Sequence, residues 1–310
     1  MPGQSTTLRH VLTQEKPCVP CATEAGRNAT YAGWPQLESS GISIWDEFNL
    51  TNLNASYGHI LNVPIPEGLM DVPQADQVLA GVSLAKEEHL NYLIEGNDQI
   101  LQKALRLAKS HLHLHPGIVL KHDFMAADQS TPMWLSHGAR RTKINHLIRL
   151  DDSPGPTCLV VGLMRSSSRW SGRAVAGQLE DNMRKELVWP LKQLANACVM
   201  AKTRYGYIQT DEEMVVCRFA RNGPEWKVAI MPIPWSRYGC HVLTTDLALW
   251  WICMMAMSTH QPRDIVGEAQ MANISDWDVV HLGQGRWVRR HLYSGVVHPT
   301  NSPPPSSSRY

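Results

Sequence analysis

The feature that most constrains the fold is a nearly continuous apolar run at residues 158–164. A strand with one face in water alternates apolar and polar residues, whereas a strand covered on both faces is apolar at almost every position. The run therefore predicts an interior strand of a sheet that has helices packed on both faces.

Segments on either side of this run predict the remaining elements. Strands are predicted at 118–120, 143–150, 158–164, 205–209, 214–219 and 226–233, and helices at 84–114, 178–202 and 247–257. Gly96 and Asn97 interrupt the first helical pattern, which predicts two helices with a break there and Asp98 as the N-cap of the second. Thr244 is a candidate N-cap for the last helix. This order favours an α/β fold with a mixed central sheet flanked by helices.

The length of 310 residues suits one large domain or two small ones. Residues 1–80 are rich in Pro, Asn, Ser and Gly, which favour turns, and predict an irregular N-terminal arm. Residues 81–265 form the predicted core, and residues 266–298 form a C-terminal extension with weaker patterns. Residues 299–310 contain a Pro-Pro-Pro-Ser-Ser-Ser run and predict a disordered tail.

Charge and targeting signals limit the environments that suit the chain. The formal net charge of +1 gives no global basic excess, so a nucleic-acid surface would have to be local. The N-terminus lacks the pattern of a secretory signal, and no apolar run is long enough for a bilayer. The seven cysteines are scattered and do not predict a disulfide framework. We therefore expect an intracellular protein, cytoplasmic or nuclear, without a membrane partner.

Four segments of the core carry a resemblance to a known superfamily. They read KINHLIRL at 143–150, LVVGLMR at 159–165, WPLKQL at 189–194 and TRYGYIQTDEE at 203–213. With the order of elements, they resemble the PD-(D/E)XK nuclease-like superfamily, and more narrowly a group of fungal proteins with such a core and a degenerate motif. The resemblance covers roughly the middle half of the chain and implies a restriction-endonuclease-like core.

The resemblance also implies which positions would carry nuclease chemistry. In that superfamily, carboxylates on two adjacent strands hold Mg²⁺, and a following lysine stabilises charge on the phosphate. Asn145 and Leu163 fall at the two acidic positions, and Arg165 falls at the lysine. Gln193 matches the Gln of a Q-x-x-x-Y element, whose Tyr is replaced by Ala197. Leu163 cannot ligate a metal, so we expect loss of metal-dependent cleavage, with no catalytic residue and no cofactor.

An alternative is that the chain is an active Mg²⁺-dependent nuclease, in which acidic residues at other positions supply the metal ligands. The candidates are Asp151, Asp152 and Glu180. The first two lie in a Pro-Gly turn, where acids commonly serve turn formation. The degenerate positions are equally compatible with ordinary strand and helix residues that have no functional role.

Basic residues with an aromatic residue flank the two central strands. They are Arg140, Arg141 and Lys143 before the first strand, and Arg165, Arg169, Trp170 and Arg173 after the second. Cations beside an aromatic ring suit phosphate backbones and single-stranded bases, whereas nearby acids also allow an ordinary solvated rim. We predict a nucleic-acid-binding or interaction module, with a protein scaffold that binds no nucleic acid as the further alternative.

Two motifs invite a metal-binding interpretation. Cys18 and Cys21 form a C-x-x-C pair, but no second pair follows at the spacing of a zinc site. Imidazoles recur at His111, His113, His115 and His122, near the end of the first predicted helix. Histidines also suit the negative end of a helix, and they have no nearby cysteine or distinct acidic partner. We therefore predict no metal site.

Overall fold

The computed structural model describes residues 6–23, 26–65, 73–124, 144–179 and 183–300. A seven-stranded mixed sheet forms its centre. Its strands are β1 (Ile42–Ile44), β2 (Val119–Phe124), β3 (His146–Asp151), β4 (Thr157–Met164), β5 (Tyr205–Gln209), β6 (Glu213–Asn222) and β7 (Glu225–Pro234). In space they follow the order β1-β7-β6-β5-β4-β3-β2.

Helices cover both faces of this sheet. They are α1 (Leu8–Leu12), α2 (Leu50–Leu61), α3 (Ala75–Val78), α4 (Asn91–His111), α5 (Gly172–Ala176), α6 (Lys185–Ala201) and α7 (Thr245–Ala256). Short 3₁₀ turns occur at Ser39–Gly41, Glu87–Leu90 and Glu268–Gln270. Helices α4 and α7 pack on one face, and α6 packs on the other. Among the helices described, none has the length and apolar character to cross a bilayer.

The pairing of β4 explains the apolar run from which the fold was predicted. It lies between β3 and β5, antiparallel to the first and parallel to the second. Parallel neighbours need a crossover connection, and α6 supplies it. With helices on both sides, residues 158–164 are all buried. The prediction of an α/β fold with a mixed central sheet flanked by helices is confirmed.

The predicted break in the first helix is wrong, because α4 runs continuously for 21 residues. A Cβ on Gly96 would lie 2.8 Å from Leu79 Cδ2, so this glycine allows close packing of the helix. Asn97 accepts a hydrogen bond from Lys16 Nζ at 2.7 Å. Asp98 is buried in mid-helix and does not cap it. Tertiary partners, and not a helix end, explain these residues.

The N-terminal segment is more regular than its composition predicts. It contributes strand β1 to the sheet and the 12-residue helix α2. Asn49, of a residue type that favours turns, is the N-cap of α2, and its side chain accepts a hydrogen bond from Asn52 N at 3.0 Å. Phe48 stacks on Trp251 of α7, with ring centroids 4.1 Å apart. The segment therefore packs into the core of the domain.

The C-terminal segment forms a second sheet. Its antiparallel strands are β8 (Trp277–His281), β9 (Trp287–His291) and β10 (Val297–Thr300). Pro299 and Thr300, which the sequence assigns to a disordered tail, pair with Val288 and Trp287. The rest of that predicted tail, residues 301–310, lies outside the described residues.

Candidate phosphate cavity and buried histidine cluster

Three of the four positions that the resemblance singles out line one cavity. Asn145 comes just before β3 and Arg165 just after β4, and these ends meet because the two strands are antiparallel. Asn145 Oδ1 accepts a hydrogen bond from the backbone N–H of Met164 at 3.1 Å. Arg165 Nη2 donates to Gln193 Oε1, which brings α6 to the same point. The resemblance therefore predicts a group of residues that lie together in space.

The cavity has a volume of about 430 Å³ and a mainly basic lining. Besides the three residues above, its lining comprises Arg27, Asn28, Ala29, Lys86, Glu87, Glu88, Met164 and Arg169. Four of the described lining residues are basic and two are acidic. Arg165 and Arg169 belong to the predicted basic cluster, whereas Arg27 and Lys86 come from segments that the sequence did not connect with it.

The hydrogen bonds of the Arg165 guanidinium go to neutral groups. Its Nη1 donates to Met164 O at 2.5 Å, and its Nη2 donates to the amide of Gln193. No carboxylate within the described ranges forms an ion pair with it. Burial lowers the pKa of Arg165 to about 10, and the charge of Glu87 opposes that change. The guanidinium therefore stays charged at neutral pH beside the cavity.

Several polar atoms of the lining lack partners in the described part of the chain. Asn145 Nδ2 and Arg169 Nε are buried donors without an acceptor, and Asn28 Oδ1 is a buried acceptor without a donor. The other nitrogens of Arg169 are engaged, Nη1 with Glu87 Oε2 and Nη2 with Arg27 O. Because buried donors in folded proteins are nearly always paired, Asn145 Nδ2 and Arg169 Nε point to a ligand that accepts hydrogen bonds.

Three predicted residues lie outside the cavity. Leu163 is fully buried in the core beneath α6. Trp170 is only 2% exposed and donates its indole N–H to Leu187 O at 2.8 Å, so its faces are covered and the predicted stacking of bases on it is not supported. Arg173 is exposed and pairs with Glu212 at 2.9 Å.

Asp151 and Asp152 do not approach this cavity. Asp151 ends β3, whereas Asn145 precedes it, which separates them by about 20 Å along an extended strand. Asp151 pairs with Lys121 at 2.5 Å and Arg149 at 2.7 Å, and Asp152 is exposed beyond it. These acids cannot share a metal ion with Asn145. The other predicted residues, Glu180, Arg140, Arg141 and Lys143, lie outside the described residues.

A second polar cluster lies on the other side of the sheet, against α4. Asp98 of α4, His122 of β2 and His146 of β3 offer ligand atoms that all lie within 4.8 Å of one another. The sequence singled out His122 among the histidines but missed its partners. The available signal was an acid within the apolar stripe of α4, three residues before Leu101 and seven before Leu105.

Burial and neighbouring groups shift the pKa values of His146 and Asp98. Burial lowers the pKa of His146 to about 4, opposed by the charge of Asp98. Burial alone would raise the pKa of Asp98, but contact with His122 and the charge of His146 bring it below its usual value. Tyr207 Oη lies 2.7 Å from His146 Nδ1. At neutral pH the cluster therefore combines a carboxylate with a neutral imidazole.

No protein-family model matches this chain, and no curated protein matches it. The cavity around Arg165 and the cluster around Asp98 are the two features from which a function can be inferred.

Proposed function

We propose that the chain is a nuclease-like protein without metal-dependent cleavage, which binds a phosphate group of single-stranded nucleic acid in the cavity around Arg165. The observation that carries the proposal is a charged guanidinium beside a cavity whose lining also offers unpaired N–H donors. The cavity suits an anion, and it lies where a nuclease of the superfamily that the chain resembles would hold the phosphate that it cleaves.

The arrangement of elements supports the nuclease-like part of the proposal. Helix α4 is followed by the antiparallel strands β2, β3 and β4, then by α6 and the parallel strand β5. This is the order on which the sequence resemblance was based. Positions 145, 165 and 193 line one cavity, at the ends of β3 and β4 that meet there.

The donor set supports phosphate over a divalent cation. Mg²⁺ requires anionic oxygens, but Asn145 and Gln193 offer amides, and Arg165 would repel a dication. The carboxylate of Glu87 is already in contact with Arg169. Arginine is well suited to phosphate, because its planar N–H groups can donate two parallel hydrogen bonds.

The size of the cavity supports a single nucleotide as the bound unit. Small-ligand pockets measure about 300–1,000 Å³, and this cavity has about 430 Å³. Its key donors are buried, so a phosphate must enter the cavity to reach them. The phosphates of a single strand can do this more easily than those on the convex surface of a duplex.

Fluorescence anisotropy with a labelled single-stranded oligonucleotide, measured at increasing salt concentration, tests the proposal. The variant Arg165→Gln removes the charge and should weaken binding roughly 10- to 100-fold, the usual effect of losing a charged hydrogen bond. Arg173→Gln is the matched control. It also removes one positive charge from the segment between β4 and α6, but Arg173 lies outside the cavity. It should change the affinity less than about threefold, as expected for an exposed charge.

Two results would overturn the proposal. The first is absence of binding by the wild-type chain even at low salt, which would favour the protein-scaffold alternative. The second is cleavage of DNA or RNA with Mg²⁺ or Mn²⁺ that stops in Asn145→Ala, which would make the chain an enzyme. Equal weakening by both arginine substitutions would argue against the cavity as the binding site.

A further inference from the structure

The buried histidine cluster is built on one face of the β2–β3 pair. His122 lies opposite Ile148, and Phe124 lies opposite His146, so the two histidines are diagonal neighbours on that face. Their ring centroids are 5.8 Å apart, and both rings face Asp98 on α4. Side-chain exposure is only 1–2% for all three residues.

Two imidazole nitrogens at the centre of this cluster lack hydrogen bonds. His122 Nε2 and His146 Nε2 are buried and have no hydrogen-bond partner in the described part of the structure. Asp98 Oδ1 is in close contact with His122 Nδ1 and lies 3.6 Å from His146 Nε2. Because buried polar atoms in folded proteins are nearly always paired, two open imidazole nitrogens beside one buried carboxylate require an explanation.

We propose that Asp98, His122 and His146 bind one divalent transition-metal ion, for which Zn²⁺ is the best-suited candidate. Two imidazoles and a carboxylate form a ligand set suited to zinc and to neighbouring metals of the first transition row. Bonds of about 2.1 Å in tetrahedral geometry place ligand atoms roughly 3.4 Å apart. The separation of 3.6 Å between Asp98 Oδ1 and His146 Nε2 fits that spacing, whereas Asp98 Oδ1 and His122 Nδ1 are in closer contact and would move apart as the ion enters.

The groups behind the ligands support the same assignment. His146 can coordinate through Nε2 only if Nδ1 carries the proton, and Nδ1 then donates to Tyr207 Oη at 2.7 Å. Gln102 donates to Asp98 Oδ2, which leaves Oδ1 facing the imidazoles. Such outer contacts orient metal ligands and are characteristic of built sites.

Burial determines the role that such an ion would have. The ligands come from α4, β2 and β3, so a bound ion would join the helix to the edge of the sheet. With side chains almost fully covered, a structural role is favoured over a catalytic one. Binding to the folded state alone would stabilise it, in proportion to the logarithm of the metal concentration. The site is separate from the Arg165 cavity, so each proposal can fail without the other.

Metal analysis of the purified full chain tests the proposal. After incubation with Zn²⁺ and removal of free metal, elemental analysis should find about one zinc per chain. Removing the metal with a chelator should lower the melting temperature, and adding Zn²⁺ should restore it. Asp98→Asn and His122→Gln should bring the zinc content close to zero. Tyr207→Phe keeps all three ligands and should weaken zinc binding about 10- to 100-fold.

Control variants separate this site from accidental zinc binding. His111→Ala removes an exposed histidine at the end of α4, and Cys18→Ser/Cys21→Ser removes the C-x-x-C pair. Both should retain the wild-type zinc content. The proposal is overturned if wild-type protein shows neither bound zinc nor a thermal shift, a result that needs no variant to fold. It is also overturned if soluble Asp98→Asn binds zinc as tightly as the wild type.

Discussion

Lys16 Nζ lies 2.6 Å from Asp246 Oδ1, forming an ion pair between the N-terminal segment and the first turn of α7. The two side chains are 2% and 1% exposed. The ammonium group also donates to Asn97 Oδ1 and Thr245 Oγ1, each at 2.7 Å. All three donors of the lysine are therefore used. This contact holds the N-terminal segment against α4 and α7.

Replacing Lys16 should destabilise the fold strongly. Lys16→Met leaves Asp246 buried without a cation, which should lower the free energy of unfolding by about 3–5 kcal/mol. Lys227→Met is the matched control, since Lys227 forms an ion pair of 2.5 Å with Glu268 at the surface. That substitution should leave the free energy of unfolding close to the wild-type value, because solvent screens an exposed pair. Urea denaturation measures both, and similar small losses would contradict a structural role for the buried pair.

The sequence predicted the elements of the core well because their signals are local. The apolar run at 158–164 reports its burial directly, and Thr244 caps α7 as predicted, with its side chain accepting from Leu247 N. The wrong predictions of secondary structure came from residues whose type is explained by tertiary contacts. Asn97 signals a helix break by type, yet it lies inside α4, where Lys16 supplies its partner.

The candidate sites were only partly predictable. The resemblance placed Asn145 and Arg165 near each other, and the structure brings them to one cavity. It could not reveal Lys86, which comes from a segment far away in sequence. His122 was considered with the wrong histidines, because its partner Asp98 lies 24 positions earlier on a helix that only the folded sheet brings close.

A single added charge should weaken phosphate binding in the cavity. Asn145→Asp preserves side-chain shape and can still accept from Met164 N, but it places a carboxylate where Nδ2 now lacks a partner. Repulsion between such a charge and a bound phosphate corresponds to about 1–3 kcal/mol, or roughly 10- to 100-fold in affinity. Anisotropy with the same oligonucleotide measures this loss. Unchanged affinity would argue against phosphate near Asn145.

Trp170 should contribute to stability and not to nucleic-acid binding. Trp170→Phe leaves a small void in the core and removes the donor to Leu187 O, which should lower the free energy of unfolding by about 1–3 kcal/mol. Oligonucleotide affinity of the folded variant should stay at the wild-type value. A selective loss of affinity with unchanged stability would instead restore the predicted stacking role.

Gly162 should be intolerant of a side chain because of the ring beside it. A Cβ at this position would lie 2.5 Å from Tyr207 Cζ, so Gly162→Ala must displace the tyrosine that contacts His146. We expect a loss of about 1–3 kcal/mol in the free energy of unfolding. The control Gly58→Ala lies in α2 with its nearest neighbouring atom at 3.7 Å. It should stabilise the protein by about 0.5–1 kcal/mol, because alanine favours the helix. Equal effects of the two substitutions in thermal or urea denaturation would contradict this account.

The hydrogen bonds of His291 make the C-terminal sheet dependent on neutral imidazole. Its Nε2 donates to Ile274 O at 2.7 Å, and its Nδ1 accepts from the backbone N–H groups of Tyr293 and Ser294. Burial lowers the pKa of His291, although the bond to Ile274 and the charge of Asp276 oppose this change. Protonation at Nδ1 would remove the acceptor.

Stability should therefore fall as the pH is lowered below the ordinary histidine pKa of about 6.5. The folded-state pKa is lower than the unfolded one, so the unfolded chain takes up the proton first, and acidification favours unfolding. His291→Gln does not titrate and serves as the reference. The difference in free energy of unfolding between wild type and His291→Gln should shrink between about pH 7 and pH 5. Denaturation at both pH values measures it, and a constant difference would show that His291 is not held neutral.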